Sequence, residues 1–178
     1  MFVRCSLCSI LLRFERYTIR VTPRETFLLQ RVQPALTGLI DGSLSTIAPI
    51  FAVALYTHNP HAAFIAGTAT AIAAGISMAY SEGLSDTGEL TGRGNPVLRG
   101  TITGFGTFAG GILHTLPFLI PHYRVALIFA AIVVAFELVA LAWLRWRFFK
   151  TSFVGSLGYV TLAGLVIAGV SAALGVSG

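Results

Sequence analysis

The sequence predicts an all-α membrane protein with five transmembrane helices, and three observations carry that prediction. Of its 178 residues, 55% are hydrophobic and only 11% charged, with a mean hydropathy of +0.81, whereas a soluble domain carries about 25% charged residues. Three stretches hold no Asp, Glu, Lys or Arg: Gly42 to Ser81, Gly100 to Tyr123 and Thr151 to Gly178, each longer than the roughly 18 residues that mark a membrane span. Runs such as residues 126–136 are apolar on every face, whereas a barrel strand alternates apolar and polar over about ten residues. Helices are then the way to satisfy the backbone in lipid.

Residues 1–33 form a basic segment, with Arg4, Arg13, Arg16, Arg20, Arg24 and Arg31 against Glu15 and Glu25. It reads as a cytoplasmic lead-in and not a signal peptide, since Arg13 interrupts the short apolar run from Ser6 to Leu12. The membrane domain occupies residues 34–178, with spans expected at 35–56, 62–84, 100–120, 124–144 and 153–176, each boundary uncertain by about 2–4 residues. Pro34 suits a first helical turn, where its missing N–H costs nothing. The turn Thr57-His58-Asn59-Pro60-His61 separates the first two spans, because Asn-Pro favours turn initiation. Pro121 and His122 close the third, Pro117 is expected to kink it, and Arg145, Arg147 and Lys150 stop the fourth. With five spans the chain ends lie on opposite faces: the N-terminal face collects a formal charge of +7 and the other +1, which orients the N-terminus to the cytoplasm.

The net charge of +5 reads as membrane topology and not as a nucleic-acid footprint, because the basic residues form no folded face. Cys5 and Cys8 make a lone CxxC without the second pair that a structural zinc site needs, and chance accounts for it. There is no nucleophile beside a base, no HExxH and no Glu-x-x-His pattern, so an enzyme is not expected.

Ionisable residues inside spans are costly and tend to face a pathway, a partner or a cavity. Asp41 lies six residues into the first expected span, Met78 six before the end of the second and Glu137 seven before the end of the fourth. At about 1.5 Å per residue, all three are expected some 9 to 11 Å deep. Glu82 follows Met78 by four residues and shares its helical face. Carboxylates with a thioether suit softer ions such as Fe²⁺ or Mn²⁺, although Met78 as gap-filler and Glu82 as an interfacial residue stay open. Asp41 sits in Gly38-Leu39-Ile40-Asp41-Gly42, where Gly38 and Gly42 form a close-packing GxxxG face. Glu137 either joins a pathway or pairs with a neighbouring helix. His114, about 21 Å along the third span, either passes protons or metal outward or hydrogen-bonds a neighbour. His58 and His61 at the outer turn read as structural. Glu82, Asp86 and Glu89 would make an acidic stripe on a continuing helix, but the Ser85-Asp86 turn signal favours an Arg-balanced loop.

The ordered set Gly38–Gly42, Ile76-Ser77-Met78-Ala79-Tyr80-Ser81-Glu82 and Gly110-Gly111-Ile112-Leu113-His114-Thr115-Leu116-Pro117 resembles the vacuolar iron transporter family over residues 34–178. With the loop Leu84 to Pro96, it is similar in particular to the membrane domain of bacterial membrane-bound ferritin iron exporters. The resemblance implies proton-coupled export of Fe²⁺ or Mn²⁺ from the cytoplasm by a homodimer, the metal being substrate and not cofactor. The family's translocation aspartate and methionine match Asp41 and Met78, and its following acid matches Glu82. A dimer axis beside Gly38 and Gly42 would bring two Asp41/Met78 sets together. Two departures stand out: residues 85–99 are too short for the acidic metal-gathering insert of some members, and residues 1–33 cannot hold a ferritin-like domain. A separate iron-delivery protein is one expected remedy, and a bacterial inner membrane the expected location. The rivals are a non-transporting anchor or scaffold and a transporter of another cation.

Overall fold

The computed structural model describes residues 22–89 and 91–177, and every regular element among them is helical. Cys5, Cys8 and the first four arginines, all within residues 1–21, lie outside the described residues. Five long helical segments follow in order: α1 over Pro23–Thr57, α2 over Pro60–Ser85, α3 over Pro96–Leu113, α4 over Tyr123–Phe149 and α5 over Phe153–Ser177. A short 3₁₀ turn, Leu116–Leu119, joins α3 to α4.

Four of these, α1, α2, α4 and α5, are long and apolar enough to cross a membrane. The segment expected as a third span is different: α3 has 18 residues, and its five glycines and Arg99 hold down its apolarity. It is also the most enclosed helix, with Arg99, Gly100, Thr103, Gly104, Gly106, Thr107, Gly110 and Gly111 all buried between α2 and the first half of α1. The outward faces of the others carry Phe105-like bulk in the open: Leu84, Phe136, Val154 and Tyr159 are 73–82% exposed, a surface that suits lipid far better than water.

The helix starts follow local chemistry. Asn59 and Asn95 each turn Oδ1 onto two free backbone N–H groups, at 3.0 and 3.3 Å and at 2.8 and 3.2 Å, with proline at the next position. His58 and Lys150 end α1 and α4 in the left-handed region, at φ of 51° and 53°. The expected start at Pro34 is corrected, because α1 begins at Pro23 behind a Thr22/Glu25 capping box. Pro34 is tolerated inside the helix by a π turn over Leu28–Val32, in which the Gln33 N–H reaches back to the Leu28 carbonyl. The widened turn absorbs the register that the missing proline N–H disrupts.

Small residues set the helix contacts. Gly38 and Gly42 are buried against the Thr103 and Thr107 backbone, and a Cβ on Gly42 would stand 2.7 Å from the Thr107 carbonyl carbon. Gly38 and Gly42 are thus a close-packed face, and the helix that packs on it is α3 of the same chain. At the far end, Ile50, Ala54, Ala63, Phe118, Ala126 and Ala130 close a second core, with Phe51 edge-on to Phe118 at 6.3 Å.

Candidate functional site

Two prolines create the chain's central polar site. Within a helix, a proline ring clashes with the carbonyl four residues back and removes one hydrogen bond. Pro49 acts on Ser45, and the regular helix Gln33–Ser45 stops there, with Thr46 as a turn before Ile47–Thr57 resumes. Pro117 acts on Leu113, and α3 ends there. The expected kink at Pro117 is thus a full break. The residue after each stop, Thr46 and His114, is fully buried, and the two meet at 2.8 Å through Thr46 Oγ1 and His114 Nε2. Thr46 Oγ1 also donates to the Gly42 carbonyl at 2.7 Å. On its other side, His114 Nδ1 lies 2.9 Å from Oε2 of Glu137, which is 5% exposed. Glu137 Oε1 is buried and has no hydrogen-bond partner.

Because α4 runs to Phe149, Glu137 lies about 18 Å from that end, near the helix middle and level with His114. Asp41 is five residues before Thr46, about 7 to 8 Å away along α1. Asp41, Met78 and Glu137 do not share one level.

Asp41 is partly buried, and the residues a turn to either side, Thr37 and Ser45, are exposed. It makes no hydrogen bond or ion pair with any described residue. This line of Thr37, Asp41 and Ser45 is a polar stripe that no helix among the described residues fully covers. Met78 is also partly buried, on α2. Among the described residues there is no group of three or more His, Cys, Asp and Glu placed to hold a metal ion within one chain.

Glu82 is engaged elsewhere. Its Oε1 accepts from Arg99 Nε at 3.0 Å and pairs with Arg93 Nη2 at 2.7 Å. The Arg99 side chain is 1% exposed, and it also donates to the carbonyls of Asp86 at 2.8 Å and Gly94 at 3.2 Å. Asp86 in turn accepts from the Gly88 N–H and the Thr91 hydroxyl at 2.8 and 2.6 Å. These bonds, the Thr91 hydroxyl first and the Gly88 N–H next, hold its carboxyl below the usual range; partial desolvation opposes them, and Arg99 and Arg93 assist. From α1, Gln30 Nε2 donates to the Gly92 carbonyl at 3.1 Å. The loop is Arg-balanced, as expected, and α2 ends at Ser85 without an acidic stripe. It is also a built structure centred on a buried arginine, which charge counting does not reveal.

His58 and His61 are exposed, and the His58 ring packs edge-on to Tyr123 at 5.0 Å. Thr46 and Arg99 are the residues that sequence reading passes over; the signal for Thr46 was Pro49 three positions on. Compared with known protein families, with curated proteins and with solved structures, the chain matches none.

Proposed function

We propose that the protein is a five-span membrane transporter, with its N-terminus in the cytoplasm, that exports Fe²⁺ or Mn²⁺ by proton antiport. The observation that carries this reading is Asp41: a carboxylate without a partner among the described residues, in the middle of a 35-residue apolar helix. An unpaired acid at such a place is costly unless a pathway or a cation compensates it. Met78 adds a soft sulfur ligand on a neighbouring helix, and Glu82 stands at the cytoplasmic mouth beside its two arginines. The resemblance of the three quoted motifs to the vacuolar iron transporter family points the same way.

The described residues of one chain supply too few ligands for a metal. A second copy seated on the Thr37, Asp41 and Ser45 stripe doubles the set and covers the polar face, so a homodimer in a bacterial inner membrane is part of the proposal. A separate iron-delivery protein that hands metal to this pathway is also part of the proposal. In exchange, protonated Asp41 neutralises the empty site and releases its proton when metal binds.

A second reading is a non-transporting anchor, favoured by the fact that Glu82 and one oxygen of Glu137, Oε2, find partners within the fold. Thermal unfolding with added Mn²⁺ separates the two. Metal at a hundred times its dissociation constant stabilises a binding protein by about 2.7 kcal/mol, and the proposal expects that gain in the wild type and its loss in Asp41→Asn. An equal or absent response in both proteins favours the anchor.

A further inference from the structure

We propose that His114 and Glu137 form a proton-binding site, separate from Asp41 and Met78, whose single shared proton holds the two helix breaks against α4. The deduction follows from counting hydrogens. The Thr46 hydroxyl has one proton and gives it to the Gly42 carbonyl at 2.7 Å, so at 2.8 Å His114 Nε2 must donate to Thr46 Oγ1. With Nε2 protonated, the 2.9 Å contact from Nδ1 to Glu137 Oε2 requires one further proton, on either the ring or the carboxyl. In both cases the pair is neutral overall, as its burial demands.

Removing that proton, which leaves to water as hydronium, puts a net negative charge in a dry site and cannot keep all three bonds: either the Nδ1 lone pair faces a carboxylate oxygen and the Nδ1–Oε2 bond breaks, or the remaining ring hydrogen moves to Nδ1 and the Thr46 hydroxyl turns from the Gly42 carbonyl to Nε2. The full set of contacts from α1 through His114 to α4 therefore exists only in the protonated state. Glu137 Oε1, buried and unpartnered, is the free acceptor through which a proton can arrive. Both ring nitrogens are already bonded, so the histidine offers no lone pair to a metal without losing one of these contacts.

Among the described residues no other charged group competes for the pair. On α1 the nearest titratable residues are Asp41, five positions before Thr46, and Tyr56, ten after it. On α2, which meets this region at Gly67 beside Thr115, they are His61 and Tyr80; on α4, Arg124 and Arg145; on α3, Arg99; and on α5, Tyr159. All lie more than a helical turn from the contact along their own helices.

Its role in coupling, as the station through which the proton that Asp41 exchanges for metal passes, rests on the transport reading, and the test has one arm that does not. Glu137→Gln keeps a donor for His114 Nδ1 and so mimics the permanently protonated state without a mobile proton. In bilayers, the ¹⁵N resonances of the His114 ring are expected to move with pH in the wild type and to stay fixed in Glu137→Gln. A wild-type ring that does not titrate overturns the proposal, whether or not the protein transports metal. In proteoliposomes, Glu137→Gln is expected to retain metal-for-metal exchange and to lose accumulation driven by a proton gradient, falling to the level without a gradient. Gradient-driven accumulation at the wild-type level overturns the coupling role, as does loss of exchange and accumulation together. A titrating ring in a wild type that moves no metal leaves the proton site standing and refutes the transport reading alone.

Discussion

Replacing Glu82 with alanine strands the Arg99 guanidinium, and the structure sets the size of the consequence. Arg99 is 1% exposed and Glu82 13%, so neither charge is screened as a surface pair would be. Two backbone carbonyls, at 2.8 and 3.2 Å, continue to accept from the arginine, but they carry no charge to balance it. The nearest other carboxylate oxygen, Asp86 Oδ2, is 3.8 Å away. Removing one partner of a buried ion pair costs about 3–5 kcal/mol. For a chain of this size each kcal/mol shifts the melting temperature by about 2–4 °C, which gives a fall of roughly 6–20 °C. Glu82→Gln keeps an oxygen acceptor for Arg99 Nε and is expected to lose less. The assay is thermal unfolding in a fixed detergent or nanodisc, with hydrogen exchange on residues 86–95 to show that the loop opens first. A Glu82→Ala protein that melts with the wild type would refute the structural role assigned to the pair, and would return Glu82 to the set of free ligands.

Other consequences follow from the same contacts. Asp86 has its acidity raised in the folded loop, so its contribution is present above its unfolded pKa near about 4 and is lost as pH falls through the lower folded value. Amide exchange at Gly88 is accordingly expected to accelerate below about pH 4, and to do so at higher pH in Thr91→Val. Gly42→Leu drives a side chain into the Thr107 backbone, where even a Cβ would stand 2.7 Å from the carbonyl carbon; overpacking of this kind costs about 1–3 kcal/mol or more, measurable as reduced yield of folded protein and a lower melting point. Thr46→Val leaves the His114 N–H without an acceptor, a loss of about 1–3 kcal/mol that a melting curve resolves. Met78→Leu conserves volume and is expected to change stability by less than about 1.5 kcal/mol while weakening Fe²⁺ binding in a calorimetric titration.

The helical class and the polar turns were legible because they rest on local chemistry: uncharged runs, Asn-Pro starts and a basic stop after α4. The Gly38 and Gly42 face was legible as close-packing, but its partner was not, since a glycine stripe does not say whether the covering helix belongs to the same chain. Glu137 sits farther from the end of α4 than an end at residue 144 implies, because the helix continues through Trp146 and Phe149. The start at Pro34 failed because a π turn two residues earlier makes an interior proline tolerable. His114 and Glu137 were each recognisable as costly intramembrane groups, but their partnership depends on tertiary approach across 23 residues of sequence. Thr46 carries no signal of its own; its place is dictated by Pro49, just as that of His114 is dictated by Pro117. Arg99 read as a loop charge and is instead the buried centre of the loop, an outcome set by how closely Gly100 lets α3 approach α2.

Metal flux in proteoliposomes, with Fe²⁺ and Mn²⁺ driven by an imposed proton gradient and wild type compared with Asp41→Asn, bears on the transport reading without intermediaries. That reading predicts gradient-dependent flux in the wild type and its loss in a folded Asp41→Asn protein. Flux undiminished in Asp41→Asn, or none in the wild type supplied with free metal, would contradict it.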